Sequence, residues 1–519
     1  MRKLFRVFIS RYAVSALFII AEIALIAYLA VYAYNYSFIF VLLSGIINTL
    51  VIISLINQDT NPEFKLTWLA VVVMIPLLGG VLYIMFHSRK MTKRESAHIK
   101  SIREQIVRVD EENGSRSRSN ELLGDLSRVC ERGAGEAVAI MKDDVISKLY
   151  EGGVCEYYDL GEKFFESMIA ALATAEKYIF LEYFIVENGK MWQSIYEILK
   201  QKADAGVEVK MLYDDIGSMA TVSYDFDRNL RREGIECYRF AKIRPRFSAS
   251  YNNRDHRKIC VIDGKIAFTG GVNIADEYIN EKMRFGHWKD GGIRVEGAAA
   301  TGFAGMFLML FDFTAGINSN YDKYLTVENS NRTDGCDSFV IPFGSGPAPV
   351  YSERVGKNAL MNIINASKRY LYITTPYLIV DYDITEALRG AARRGVDVRI
   401  ITPMRADKKI VKIMTKSSYP YLIGAGVRIF EYLPGFIHEK LVVSDDSFAV
   451  VGTINFDYRS FVHHFEDALW ICGGSAVEDI RESFMRTQSV SGEILPSEVK
   501  LGMSERIIRN LIRIFAPLL

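Results

Sequence analysis

The sequence predicts an α/β fold in which N-terminal transmembrane helices precede two repeated α/β halves that share one composite site. Apolar residues crowd the first ninety positions, a β-α-β pattern occurs twice in the remainder, and the same short histidine–lysine–aspartate motif follows each copy. A chain of 519 residues holds about three units at roughly 150 residues per domain. Half of the residues are hydrophobic, and mean hydropathy is +0.09. Lys+Arg 63 against Asp+Glu 62 leaves a formal charge of +1, which argues against wholesale disorder and against the basic excess of a nucleic-acid binder. Six cysteines are scattered without a C-x-x-C pair or a Cys/His cluster, so neither a zinc site nor a disulfide framework is expected, and a reduced setting is preferred.

Three apolar runs, at about 13–33, 38–56 and 66–86, are each long enough to cross a bilayer core of about 30 Å as a helix. Arg2, Lys3, Arg6 and Arg11 precede the first, and Val31-Tyr32-Ala33 loosely resembles a signal-peptide cleavage site. The second run follows after only Tyr34-Asn35-Tyr36-Ser37, which favours a membrane hairpin over a mature N-terminus. Basic residues also follow the third run, at Arg89, Lys90, Lys93 and Arg94. The positive-inside rule places both basic flanks in the cytoplasm and so calls for an even number of crossings. Three runs are odd; Glu22 and Asn48 mark the two that could fail to span. The expectation is a multi-pass cell-membrane protein with an anchor over 1–90 and catalytic domains on the cytoplasmic side. Residues 91–133 read as a charged juxtamembrane helix and linker, either resting on anionic headgroups or solvated.

Beyond the linker, Lys177 to Val186 is echoed by Arg369 to Val380, both reading as buried strands. An amphipathic helix follows each, Trp192 to Ala203 and Ile384 to Ala392. A second strand then begins at Gly206-Val207-Glu208-Val209 and at Gly395-Val396-Asp397-Val398, and each glycine suits a helix C-cap. The first copy delivers His256-Arg257-Lys258 with Asp263, then Gly270, Gly271 and Asn273; the second delivers His438-Glu439-Lys440 with Asp445, then Gly452 and Asn455. The halves are expected over 134–330 and 331–519, the second ending in an amphipathic helix that contains Arg506 and Phe515.

In extended chain, residues two apart share a face, so each histidine and its lysine project together. Neutral imidazole is a good nucleophile toward phosphorus, and lysine supplies positive charge for phosphate oxygens. Two facing motifs therefore suit phosphodiester exchange. One histidine attacks, the other protonates the leaving alcohol, and Lys258, Lys440, Asn273 and Asn455 hold the equatorial oxygens. The phosphohistidine then waits for an acceptor hydroxyl that the second histidine deprotonates. This chemistry calls for no metal and no cofactor. Of the other histidines, His87 and His98 read as surface groups, His287 as structural, and His463 and His464 as pocket lining or packing.

These residues resemble the phospholipase D superfamily over both halves from about Ala134. Within it they look like the bacterial cardiolipin synthases: Asn253-Arg254-Asp255-His256-Arg257-Lys258, Gly270 to Tyr278, Asn455-Phe456-Asp457-Tyr458-Arg459-Ser460 and Phe465-Glu466 match, as do Asn61-Pro62, Trp68, Pro76, Gly79 and Tyr83 near the N-terminus. The resemblance implies two phospholipase D-like domains and a reaction in which one phosphatidylglycerol donates its phosphatidyl group to another and glycerol leaves. It implies catalytic assignments for His256, Lys258, Asp263, His438, Lys440 and Asp445. The two aspartates are expected to organise the motif, since a carboxylate would repel the phosphate; Glu277 and Glu466 are the candidates to hold the histidine rings in one tautomer. Two departures stand out. Members are described with two N-terminal spans against three runs here, and an extra histidine stands beside Phe465.

Anionic membrane lipid is the expected partner, nucleic acid is not, and the oligomeric state stays open. A hydrolase with water as acceptor, either phospholipase or nuclease, a transferase using another alcohol, and a non-catalytic lipid scaffold are the competing classes. The stretch from Arg239 to Arg254 suits a loop that meets anionic lipid or a solvated surface loop, and Phe303 to Phe313 is expected to be core.

Overall fold

The computed structural model describes residues 24, 28, 34–58, 61–75, 78–86, 92–242, 253–326, 338–499, 513, 515 and 516. The described residues divide into two compact units, one holding those up to 86 with 513, 515 and 516, the other those over 92–499.

In the first unit, helices Tyr34–Ile56, Pro62–Met74 and Leu78–Phe86 pack around Val51, Leu55, Trp68, Val71, Val72 and Tyr83, with Phe515 against the same cluster. The motif residues here have local duties. The Asn61 side chain accepts from Glu63 N at 2.8 Å to cap the second helix, and Pro62 fills its first turn, where no N–H is needed. Trp68 and Tyr83 meet edge to face at 5.5 Å, and a Cβ at Gly79 would stand 2.5 Å from the Val71 carbonyl. The expected third run is broken at Ile75, beside Pro76, into pieces of 13 and 9 residues. Among the described residues no helix is long and apolar enough to cross a membrane. The first run, 13–33, and most of the expected C-terminal amphipathic helix lie outside the described residues.

In the second unit, the segment read as a linker forms helices Lys93–Glu112, Ser115–Val129 and Glu131–Asp143. Their few apolar residues, Ile99, Ile102, Ile106 and Val109 and then Leu122 and Leu126, recur at helical spacing and join the main core. Charge density hid a one-sided apolar stripe there.

The two halves repeat as expected. The first sheet runs Cys155–Tyr158, Gly292–Glu296, Ile266–Gly270, Lys258–Ile262, Tyr178–Tyr183, Glu208–Asp214 and Glu236–Phe240. The second passes through the same sequence of roles, from Phe339–Ser345 through His464–Cys472, Phe448–Gly452, Leu441–Ser444, Tyr370–Thr374 and Asp397–Pro403 to Arg428–Tyr432. Helices Lys190–Asp204 and Tyr382–Arg393 make the crossovers, and Gly206 and Gly395 both adopt φ of +89°, the left-handed conformation that ends each helix. Helix Ala299–Ala315, apolar on all sides and buried, packs against both sheets, as expected of the stretch Phe303 to Phe313.

Candidate active site

Each histidine motif is pinned by the other half. Arg254–Asp255 pairs in parallel with His464–Phe465, and His256 N donates to the Phe465 carbonyl at 2.9 Å. In the mirror arrangement His287–Lys289 pairs with Gly435–Ile437, and His438 N donates to the Lys289 carbonyl at 2.8 Å. Both histidines and both lysines are buried. His256 Nδ1 lies 2.8 Å from Glu466 Oε2, and His438 Nδ1 lies 2.7 Å from Asp290 Oδ2. A carboxylate at Nδ1 keeps the proton there and leaves the Nε2 lone pair for the site. Glu466 lies against the His256 ring. Glu277 does not: it is salt-bridged to Arg284 at 2.8 Å, and Asp290 takes its place. The first half carries a longer excursion before its next sheet strand, with a 3-10 turn at Asp276–Ile279, and Glu277 lies inside that turn while Asp290 lies beyond it. The informative signal was position within the sheet, since Asp290 immediately precedes strand Gly292–Glu296 as Glu466 sits near the start of strand His464–Cys472.

Lys258 Nζ donates to the His256 carbonyl at 2.6 Å, and Lys440 Nζ lies 2.8 Å from His438 Nδ1 and also reaches the His438 carbonyl. Burial, followed by the charges of Lys258, Lys440 and His438, holds His256 well below the ordinary imidazole range; burial, then Lys440 and Lys258, does the same to His438. Burial thus favours the neutral form of each ring. Burial also lowers Lys258 to about 8 and Lys440 to about 7, against the pull of the surrounding carboxylates.

Asp263 and Asp445 are not in this pocket. Each turns back at the far end of its strand, at φ of +54° and +59°, roughly 16 Å from the lysine at about 3.3 Å per residue. Asp263 accepts from the backbone N–H groups of Glu176, Lys177 and Tyr178, and Asp445 from those of Lys368, Arg369 and Tyr370. Both carboxylates tie the motif strand to its neighbour and lie away from the pocket. Asn273 Oδ1 accepts from Ile185 N and its Nδ2 donates to the Tyr278 hydroxyl, which commits it to scaffolding. Asn455 Oδ1, in contrast, is buried with no hydrogen-bond partner among the described residues.

Several residues escaped the sequence reading. Arg257 is fully buried and reaches Tyr351, the Met306 carbonyl and the Glu466 carbonyl, while Asp467 accepts from Lys258 N and from Thr269 of the other half. The Tyr278, Trp288 and Phe436 rings stand 5.5, 5.6 and 5.9 Å from the His438 ring. The His464 ring is 5.3 Å from that of His256. Ligand-capable atoms of His256, His464 and Glu466 lie within 4.8 Å of one another, and a metal ion held there would occupy the reactive histidine. Of the loop from Arg239 to Arg254, both ends are internal, Arg239 against Asp227 and Arg254 against Asp214 at 2.8 Å; residues 243–252 lie outside the described residues. His287 is structural, its Nδ1 3.0 Å from the Tyr432 hydroxyl.

A family model described as the cardiolipin synthase, phospholipase D-like domain matches residues 168–283 and 360–487, spanning both motifs, and a phospholipase D-nuclease N-terminal model matches 46–86. A cardiolipin synthase of Halalkalibacterium halodurans is 31% identical over 472 residues, covering 89% of this chain and 90% of that one. The chain belongs to the cardiolipin synthase family of the phospholipase D superfamily. It is, with that family, a phospholipid transferase. A cardiolipin synthase of Staphylococcus aureus is 32% identical, covering 82% and 85% of the two chains. An uncharacterized protein of Streptococcus mutans is 38% identical over 90% of this chain and 99% of its own. A phosphatidylserine synthase from Haemophilus influenzae superposes with a TM-score of 0.54 at 15% identity, over 70% of this chain and 93% of that one, a likeness of fold.

Proposed function

We propose that this chain is a membrane-bound cardiolipin synthase that moves a phosphatidyl group from one phosphatidylglycerol to another and releases glycerol. The observation that carries the reading is the pair of neutral, buried histidines, one from each half, each held at Nδ1 by a carboxylate of the opposite half. With the anionic phosphodiester bound, the second histidine takes up a proton from solvent; the Nε2 of the first then forms a bond to phosphorus as the P–O bond to the donor's glycerol breaks, and the protonated second histidine gives its proton to the departing alkoxide. The second histidine then takes the proton of the acceptor hydroxyl, whose oxygen bonds to phosphorus as the N–P bond breaks. Lys258, Lys440 and Asn455 hold the phosphate oxygens. Asp263, Asp445 and Asn273 act as scaffold. Glu466 and Asp290 are positioning residues. Residues 1–90 serve as the membrane anchor, and the two halves, 134–330 and 331–519, form the catalytic body on the cytoplasmic side.

Purified full-length protein in detergent micelles, supplied with phosphatidylglycerol alone, tests this. Cardiolipin and glycerol in equal amounts are expected. Phosphatidic acid as the main product would make the chain a hydrolase, and no product would overturn the catalytic reading.

A further inference from the structure

Strand Tyr370–Thr374 runs toward the site, because Thr374 pairs with Leu441, the neighbour of Lys440. Asp397–Pro403 and Arg428–Tyr432 lie parallel to it, so the residues that follow them emerge at the site end of the sheet, the edge where α/β sheets bind ligands. Those residues are unusual for a protein surface. Met404, Ile410, Ile413 and Leu433 are 49%, 46%, 47% and 49% exposed. Arg405, Lys408 and Lys409 are exposed among them, and none has a carboxylate within ion-pair distance among the described residues. On helix Lys409–Ile423, Lys409, Ile410, Ile413 and Lys416 share the outward face.

This surface connects directly to the pocket. The Tyr377 hydroxyl donates to Asp407 Oδ2 at 2.7 Å, and Tyr377 packs on the aromatic cluster of Tyr278, Trp288 and Phe436 that surrounds His438. The helix itself is fixed to the pocket wall, Leu378 N donating to Thr415 Oγ1 and Ser418 Oγ to the Leu378 carbonyl. Leu378 and Ile379 pair in turn with Phe456 and Asp457, next to Asn455.

We propose that Met404–Lys416 with Leu433 is the face through which the catalytic unit lies on an anionic phospholipid bilayer, its isoleucines entering the acyl boundary and its basic groups meeting the headgroups. Apolar residues interleaved with cations are what an interfacial amphipathic helix requires; Lys412 and Lys416 share Glu431, which leaves Arg405, Lys408 and Lys409 for the headgroups. The inference rests on the lipid-transfer reading and adds to it the entry point of the lipid.

The test places p-benzoyl-phenylalanine at Ile413 in the full-length chain, reconstituted in nanodiscs of phosphatidylcholine with or without phosphatidylglycerol. Irradiation followed by mass spectrometry reads lipid adducts, while cardiolipin formation is followed in parallel. The same probe at Met485, which lines a shallow surface with Tyr370 and Asp446 at the opposite strand end, is the control. Adducts at position 413 should exceed those at 485 by about tenfold, depend on phosphatidylglycerol, and fall severalfold with Lys408→Glu/Lys409→Glu. Equal labelling at both positions, or labelling indifferent to the anionic lipid and to charge reversal, overturns the docking face. Turnover without adducts rejects the face and spares the proposed function; adducts without turnover do the reverse.

Discussion

The pocket around His256 and the pocket around His438 are two answers to one requirement. Both histidines are buried at the end of a motif strand, both donate their backbone N–H to a carbonyl of the other half, and both have a carboxylate at Nδ1 within 2.8 Å. The walls differ. Tyr278, Trp288 and Phe436 surround His438, whereas His256 faces Phe184 and the polar ring of His464. The amides differ as well, since Asn273 is committed to Ile185 and Tyr278 while Asn455 keeps a free oxygen. Duplication has therefore kept the parts that set ring orientation and charge, which any attacking or protonating imidazole needs. It has let the surroundings diverge, which fits two histidines with different partners in one reaction cycle.

The strongest test of that division is to remove one ring at a time. His256→Ala and His438→Ala are each expected to lower transfer by about 10⁴-fold or more, since nucleophile and acid act as a unit. Phosphatidylglycerol labelled at phosphorus separates the roles: the variant that still takes covalent label keeps the nucleophile. Substantial synthesis by either variant would end the composite-site reading.

Next in size is the loss of the carboxylates. Glu466→Gln and Asp290→Asn leave the rings in place but remove the acceptor that selects the Nδ1–H tautomer, and kcat should fall about 10²- to 10⁴-fold with KM changed little. Partial rescue by Glu466→Asp and Asp290→Glu would separate positioning from mere packing. Equal losses would mean that both histidines need the same tautomer equally; intact kcat in Asp290→Asn would return Glu277 to consideration.

The lysines give a pH signature. A lysine lowered by burial is charged below its pKa and neutral above it, so kcat/KM, which reports the free enzyme, should decline as pH rises through about 7 for Lys440 and about 8 for Lys258. The slope should approach about tenfold per pH unit once one ammonium is mostly lost. Lys440→Arg keeps its charge and should remove the lower break, while Lys258→Arg should remove the upper one. A profile flat to pH 9 in the wild type would show that neither charge holds phosphate.

Much of this was legible in the sequence, and the failures share a cause. The repeat, both motif strands and the crossover helices follow from spacing and local geometry, whereas the expectation that Asp263 and Asp445 stand off the phosphate comes from charge. Glu466 follows too, because the second half keeps its carboxylate close behind Asn455. Asp290 does not, because an excursion that includes Asp276–Ile279 separates it from Asn273, and Glu277 stands earlier in the same excursion. Arg257 and Glu439, the middle residues of the two motifs, look arbitrary in the sequence. Only the apposition of the halves shows Arg257 reaching Tyr351 and Glu439 accepting from Tyr157. Likewise the charged stretch after residue 91 reads as solvated until the core shows where its isoleucines go.

The smallest effect concerns the residue that most distinguishes the His256 side. His464 is buried, burial pushes its pKa down to about 3, and neither ring nitrogen has a hydrogen-bond partner among the described residues, Glu466 Oε1 being 3.6 Å away. A neutral imidazole left unsatisfied inside a protein costs about 1–3 kcal/mol relative to an apolar group of the same shape. His464→Leu should therefore raise the unfolding midpoint by about 1–3 °C in a thermal scan of the detergent-solubilised chain. Trp288, its counterpart beside His438, also leaves its Nε1 without a hydrogen-bond partner among the described residues, but it buries a much larger apolar ring in the core, so Trp288→Leu should lower the midpoint instead. A drop with His464→Leu would place His464 among groups that hold the fold together. The contrast between a stabilised His464 variant and a destabilised Trp288 variant would mark the His256 wall as the one whose polarity is kept at the expense of stability, as a surface awaiting a polar headgroup requires.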